Sequence, residues 1–348
     1  MEVGWGEVDG RPVLVVRATR TGGLPAGGEV PAHVYATDSR RDAAGRAGPS
    51  MGGRWSELEG GRALAFVPRF PFLPATSYTV VPVSGDGAPV EIVAPPVGGP
   101  ASTRVVSIDP SGPVVPRNLL RIYITFSAPM SEGRASRHLR VERDESGEVL
   151  EHVLLPLDPE LWDPGRRRLT VLLDPARIKR GLAPHRDAGY PLETGRTVRL
   201  VVDAALSDAA GRPLQEGAVA VFAVGTDLRG RVRPERWQLE PPRAGARDAL
   251  VVRFDRPLDR PLTERCVTVA GVTGRGRAAL DGRSWSFVPD APWALGTVVV
   301  TVDPILEDIA GNSVARVFDR DLSIPDDDPL EPVRAVPLEV ALRPASAP

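Results

Sequence analysis

"LEDIAGNSV", Leu306–Val314, and "LSDAAGRPL", Leu206–Leu214, carry the same Leu, Asp, Ala and Gly at the same offsets. In D-x-x-G the Asp side chain accepts backbone N–H bonds and the Gly takes the left-handed conformation just after it, so the spacing reads as a turn. A calcium loop would instead read D-x-[DN]-x-[DN]-G. Asp208, Asp308 and the nearby Asp303 are therefore weak metal candidates, with Asp203 and the run Asp326, Asp327, Asp328 beside them. Calcium is possible but not favoured. The exchange of Arg212 for Asn312 is a test, because a shared ion site would not tolerate it if the Asn were a side-chain ligand.

Outward from the nonapeptide, two further landmarks recur in the same order. One is an alternating strand ending in Phe and running into Pro, "RIYITFSAPMS" at Arg121–Ser131 and "LVVRFDRPLDR" at Leu250–Arg260. The other is a strand, a proline-bounded turn and a second strand. It occurs at Leu64–Val83, at Trp285–Asp303 and, in a longer form, at Leu169–Asp203. Apolar residues at period two on either side of a turn are the pattern of half-buried antiparallel strands. After each nonapeptide another strand is expected, "VAVFAVGT" and "ARVFDRDLSI".

These landmarks divide the chain into residues 1–98, 99–228 and 229–322, followed by a tail, 323–348. The tail holds one candidate docking strand, Val336–Leu342. The predicted fold class is all-β: three tandem antiparallel β-sandwich domains with little helix, Ig-like by the family resemblance given below, the first divergent, the second carrying a long hairpin insertion at about 175–195. Short helical turns are expected only after the Phe-Pro strands, in "PMSEGRASRHL" and "PLDRPLTERC".

Composition agrees. Pro and Gly together make about a fifth of the chain and are spread throughout it, which works against long helices. A net charge of -2 provides no global field for nucleic acid, and no segment approaches the apolar length of a membrane span. The first residues are acidic where a signal peptide is basic. Of the 43 basic residues only Lys179 is a lysine, a mark of mutational bias rather than of phosphate recognition. Cys266, the single cysteine, excludes an internal disulfide and sits in the strand-like "TERCVTVAG" as a small buried hydrophobe.

With "SIDPSGPVVPRNLLRIYITFSAPMS", "LETGRTVRLVVD" and "LSDAAGRPL" in the second region, and "VVRFDRPLD", "WSFVPDAPWALGTVVVTVD" and "LEDIAGNSV" in the third, the chain resembles the bacterial SbsA-type Ig-like (Big_5) domain family. The first region shares only "FVPRFPFLPATSYTV". The resemblance implies a non-catalytic structural or protein-binding module of a bacterial cell-envelope or secreted protein. It also implies a protein partner or envelope component, a monomer or part of a larger assembly, and no catalytic residues. A calcium- or carbohydrate-dependent adhesion module is the alternative.

The residues themselves carry no G-x-S-x-G elbow, H-E-x-x-H pair, P-loop or G-x-G-x-x-G, and the four histidines stand at no ligand spacing. The reading is therefore not an enzyme. The binding candidates are Arg177, Lys179, Arg180, His185, Arg186 and Tyr190, gathered in the hairpin insertion, because loops held on a rigid sandwich are where such modules bind. Their competing reading is a basic loop packed on the neighbouring domain. For glycans, Trp237, Trp285 and Trp293 read as core, leaving Trp55 and Trp162 as surface candidates.

Overall fold

The computed structural model describes residues 2–9, 11–17, 31–37, 48–58, 60, 62–83, 88–96, 99–133, 135–320 and 334–344; the acidic run at 326–328 lies outside them. The chain forms two compact units. One comprises Met1–Thr103, Ala128–Ser131 and Ser207–Gln215, and the other Arg104–Ser127, Glu132–Leu206 and Glu216–Pro348.

The first unit contains strands β1 (Glu2–Val8), β2 (Arg11–Arg17), β3 (Ala32–Ala36), β4 (Gly53–Leu58), β5 (Ala63–Pro68), β6 (Ser77–Pro82) and β7 (Val90–Val93). They pair in two antiparallel sheets, ordered β1-β2-β5-β4 and β3-β6-β7. Leu14, Val34, Phe66, Phe72, Tyr78 and Val80 form the shared core. Phe72 stands edge-on to both Trp5 and Tyr78, at 5.0 and 4.8 Å between ring centres.

The second unit begins with β8 (Val105–Asp109), β9 (Val114–Pro116), β10 (Arg121–Phe126), β11 (Leu139–Arg143), β12 (Leu161–Trp162), β13 (Arg168–Leu172), β14 (Thr197–Val202) and β15 (Ala218–Gly225). Their sheets run β12-β13-β10-β8 and β11-β14-β15-β9. The pairing is antiparallel except for β9 beside β15, which is parallel. In β14 every second residue, Val198, Leu200 and Val202, is buried, as period two requires. Val198 and Leu200 line the same core space as Ile122 and Phe222, and each such side chain contributes about 1.5–3 kcal/mol through burial.

The rest of the unit holds β16 (Gln238–Glu240), β17 (Leu250–Arg253), β18 (Val267–Val269), β19 (Gly274–Ala278), β20 (Ser284–Pro289), β21 (Thr297–Val302) and β22 (Val336–Ala341), in sheets β16-β17-β20-β19 and β18-β21-β22. Trp237, Trp285, Trp293, Phe254, Phe287 and buried Cys266 fill the core between them. Among the described residues helix is limited to α1 (Pro175–Ile178) and α2 (Ala183–Ala188) in the insertion, α3 (Arg260–Cys266) after the Phe-Pro strand, and single 3-10 turns. The fold class is thus the expected one: nearly all β, in antiparallel Ig-like sandwiches.

One expected strand is not formed over its described part. In "ARVFDRDLSI" residues 315–320 make bends, because the Ser313 hydroxyl accepts from the Ala315 and Arg316 amides and the Asn312 side-chain oxygen accepts from Phe318. The place beside β21 goes to β22 from the tail, which buries Val340 and Leu342.

Candidate functional site

Both repeated nonapeptides build the same turn. The Asp208 Oδ1 accepts from the Ala210 and Arg212 amides at 2.9 and 3.0 Å, and Asp308 Oδ1 from Ala310 and Asn312, both at 3.0 Å. Each second oxygen meets the side chain that differs. Arg212 Nε donates to Asp208 Oδ2 at 3.1 Å, and Asn312 Nδ2 donates to Asp308 Oδ2 at 3.0 Å. Thr103 adds a bond to Asp208 at 2.9 Å, and Arg256 one to Asp308 at 3.3 Å. Arg and Asn are interchangeable here because both are N–H donors, the opposite of a cation ligand. Asp203 and Asp303 each accept the amide two residues on. The metal candidates Asp208, Asp303 and Asp308 therefore face donors, and no group of three metal-ligating side chains occurs among the described residues.

The Arg–Asn exchange shows in the electrostatics. Burial pushes the Asp208 carboxyl up, but the bonds from Arg212, Thr103 and Ala210 outweigh it and hold the group below its usual range. At Asp308 burial prevails over Asn312 and Arg256, and the carboxyl is pushed up to about 6.

The turn's glycine is a docking point in both units. Gly211, at φ +76°, lies so close to Pro74 of the β5–β6 hairpin that a Cβ there would stand 2.6 Å from the proline ring. Gly311, at φ +82°, is in the same situation against Leu120 and Phe318. Leu120 also donates its amide to the Ile309 carbonyl at 3.1 Å.

Around that second contact lies a buried polar network. Tyr123 Oη donates to Asp259 Oδ2 at 2.7 Å, while Asp259 Oδ1 caps α3 through the Leu262 amide. Arg121 pairs with both Asp259 and Glu307, and Arg260 reaches Asp109 at 2.8 Å. Burial raises the Tyr123 hydroxyl, Asp259 and Glu307. The linker is clamped too: Asn118 exchanges two bonds with the Leu228 backbone, each 2.9 Å, and Asn312 donates to the Leu228 carbonyl. The space among these groups is about 10 Å³, room for one water and no substrate.

The insertion is held beside them. Arg177 donates to the carbonyls of His152, Ala188, Gly189 and Tyr190, closing the loop on itself. Arg180 and Tyr190 both bind Asp319, which is fully buried, with Tyr190 Oη at 2.7 Å. Lys179 lies 4.5 Å over the Phe318 ring, His185 stands edge-on to Tyr190, and Arg186 is exposed. Five of the six binding candidates are thus engaged within the unit. Arg117, Arg229 and Asp319 join them and were not among the expected residues, since nothing in their local sequence marks them. The insertion borders a cleft of about 730 Å³.

The aromatic surface candidates are partly exposed. Trp55 is half-buried 5.2 Å from Phe66, and Trp162 is half-buried 5.8 Å from Phe126 with its indole N–H on Glu160, so each also packs on its own sandwich.

No family model and no curated protein matches the chain. Among solved structures it is similar to the N-terminal part of the bacterial S-layer protein SbsC, with 13% identity and a TM-score of 0.25 over 57% of this chain. The chain spans 40% of that structure's length. It is also similar to a marsupial T cell receptor, with 8% identity and a TM-score of 0.22 over 86% of this chain and 94% of that one. A third similar structure is Drosophila OTK, extracellular domains 3-5, with 10% identity and a TM-score of 0.17 over 93% and 89%. The class defined by the strands themselves is the all-β Ig-like sandwich protein. No described helix is long and apolar enough to cross a membrane.

Proposed function

We propose that the chain is a non-catalytic, tandem Ig-like module of a bacterial cell-envelope or secreted protein, a scaffold that holds loops at set positions for a protein or envelope partner. The observation that supports it most is where the buried ionisable groups go. Tyr123, Asp259, Glu307, Asp308 and Asp319 are the residues an enzyme would expose to a substrate. Here they are bonded to arginines, amides and one another around turns and a clamped linker. The envelope setting follows from the SbsA-type pattern of "TFSAPM" and "DIAGN". Binding to a partner is assigned to the exposed part of the insertion, with Arg186 its outermost cation and Arg177 its internal clamp.

The test is an assay of the purified full chain against panels of esters, glycosides and peptides, beside the Asp259→Asn variant. No turnover by either protein is expected. Turnover by the native chain that vanishes in a folded Asp259→Asn variant would overturn the reading.

A further inference from the structure

The outer edge of β15, like the two- and three-residue edges β9, β12 and β18 but over a longer run, lacks a device that most of the described sheet edges carry. Strands β1, β4, β8, β11, β16, β19 and β22 each carry a charged residue, which hinders pairing with a foreign strand. β15 reads "AVAVFAVG", eight residues without one polar side chain. Phe222 and Val224 point into the core, whereas Val219 and Val221 are 55% and 50% exposed. Beside them on the same outward face lie Val201 opposite Val219, Arg199 opposite Val221 and, across Ala223, Val114, which is 56% exposed. A sandwich strand with one face in water ordinarily alternates apolar with polar. This one does not.

The backbone of the edge is open as well. The Val224 amide donates to Arg196 on the β14 side, and the Ala223 amide donates to Pro113 on the other. By alternation the N–H and C=O groups of Val219 and Val221 face the Pro113 side. The strand on that side, β9, pairs only with Ala223–Gly225. Ala218–Phe222 therefore form an uncovered edge of about 17 Å at strand rise.

We propose that this edge is a self-association surface, on which β15 of a second copy pairs antiparallel about a two-fold axis at Ala220. The sequence is its own complement there. Val219 of one copy falls opposite Val221 of the other, the edge-facing groups of both pairs meet, and four hydrogen bonds form. The paired segments themselves carry no charge, Arg199 of β14 across from Val221 is already paired with Glu142 and Asp144, and the Val219 and Val221 side chains of the two copies form one apolar strip, continuous with the β9–β15 pairing. The stretch left free by β9 is centred on Ala220, so the two-fold arrangement fills it from both sides.

Sedimentation velocity of the full chain, from low micromolar to several hundred micromolar, tests this. A monomer–dimer equilibrium is expected, lost over that range in Val221→Lys. A chain that stays monomeric, or a dimer that Val221→Lys leaves unchanged, overturns it. Cross-linking tests the register without a charged substitution, because antiparallel partners sit at a Cα separation a disulfide can span. Under mild oxidation a mixture of Val219→Cys and Val221→Cys chains should form the mixed dimer, and Val219→Cys alone should form little. Equal yields in the two cases also overturn it. Cys266 is 3% exposed and does not compete.

Discussion

Asn312 and Arg212 occupy the same place in one turn, yet their removal should have different consequences. Asn312 is fully buried and serves Asp308, the Leu228 carbonyl and the Phe318 amide at once. Asn312→Ala takes a partner from buried Asp308 and from two half-buried backbone groups, and about 3 kcal/mol of stability should go. Arg212 is partly exposed and serves one carboxylate, so Arg212→Ala should cost about 1 kcal/mol. Urea unfolding of the two variants checks the order; equal losses would contradict it. The two aspartates should also respond to pH in opposite senses. Asp308 is raised from 3.8 to about 6, so between those values the folded chain holds a proton that the unfolded chain has released. That contribution to stability is whole below 3.8 and is lost as pH rises through 6. Asp208 is lowered, so its contribution is whole above 3.8 and is lost as pH falls towards the folded value. Carboxyl titration by NMR should find Asp308 half-protonated near 6 and Asp208 below the usual range.

At the scale of elements, β22 is the candidate docking strand of the tail, and its partner, β21, is what the local sequence does not show. It covers the edge of β21 and puts Val340, 3% exposed, into the core with Trp285 and Val300. Val340→Asp should therefore cost about 3 kcal/mol or more, by burying an unpaired carboxylate, whereas Glu339→Ala on the outward face should stay within about 0.5 kcal/mol. Thermal melting of both variants checks this, and a silent Val340→Asp would show that the tail strand is not part of the core. Period-two runs such as "TVRLVV" were legible because each residue's environment follows from its neighbours in sequence. The Phe-Pro strand before α3 and the D-x-x-G turns were legible for the same reason. What was not legible depends on distant partners: Tyr123 meets Asp259 136 residues away, and Arg180 meets Asp319 139 residues away. "ARVFDRDLSI" alternates well enough to read as a strand, but the side chains of Ser313 and Asn312 take up its amides before a sheet can. The insertion's basic residues were visible as a cluster; that Arg180, with Tyr190, serves an internal acid was not, because Asp319 lies in that misread stretch.

On the scale of the whole molecule, each of the two compact units should unfold cooperatively, and the second offers the sharper test because two sandwich cores share it. Those cores are joined by two separate groups of polar contacts. One is centred on Tyr123 and Asp259, the other on Asp319 with Arg180 and Tyr190. Tyr123→Phe removes one hydrogen bond to a buried carboxylate and should cost about 2 kcal/mol. Asp319→Ala removes the buried carboxylate that Arg180 and Tyr190 share and should cost about 3 kcal/mol. Neither residue lies in a sandwich core, so what they stabilise is the joint. Calorimetry of the full chain should give one transition for the native second unit. In the double variant that transition should separate into two, since each core keeps its own sheets while the coupling between them falls by the sum of the two losses. A double variant whose single transition moves down without dividing would mean that the apolar contact of Leu120 with the Gly311 turn is enough to couple the cores. The polar groups would then set the geometry of the joint rather than its strength.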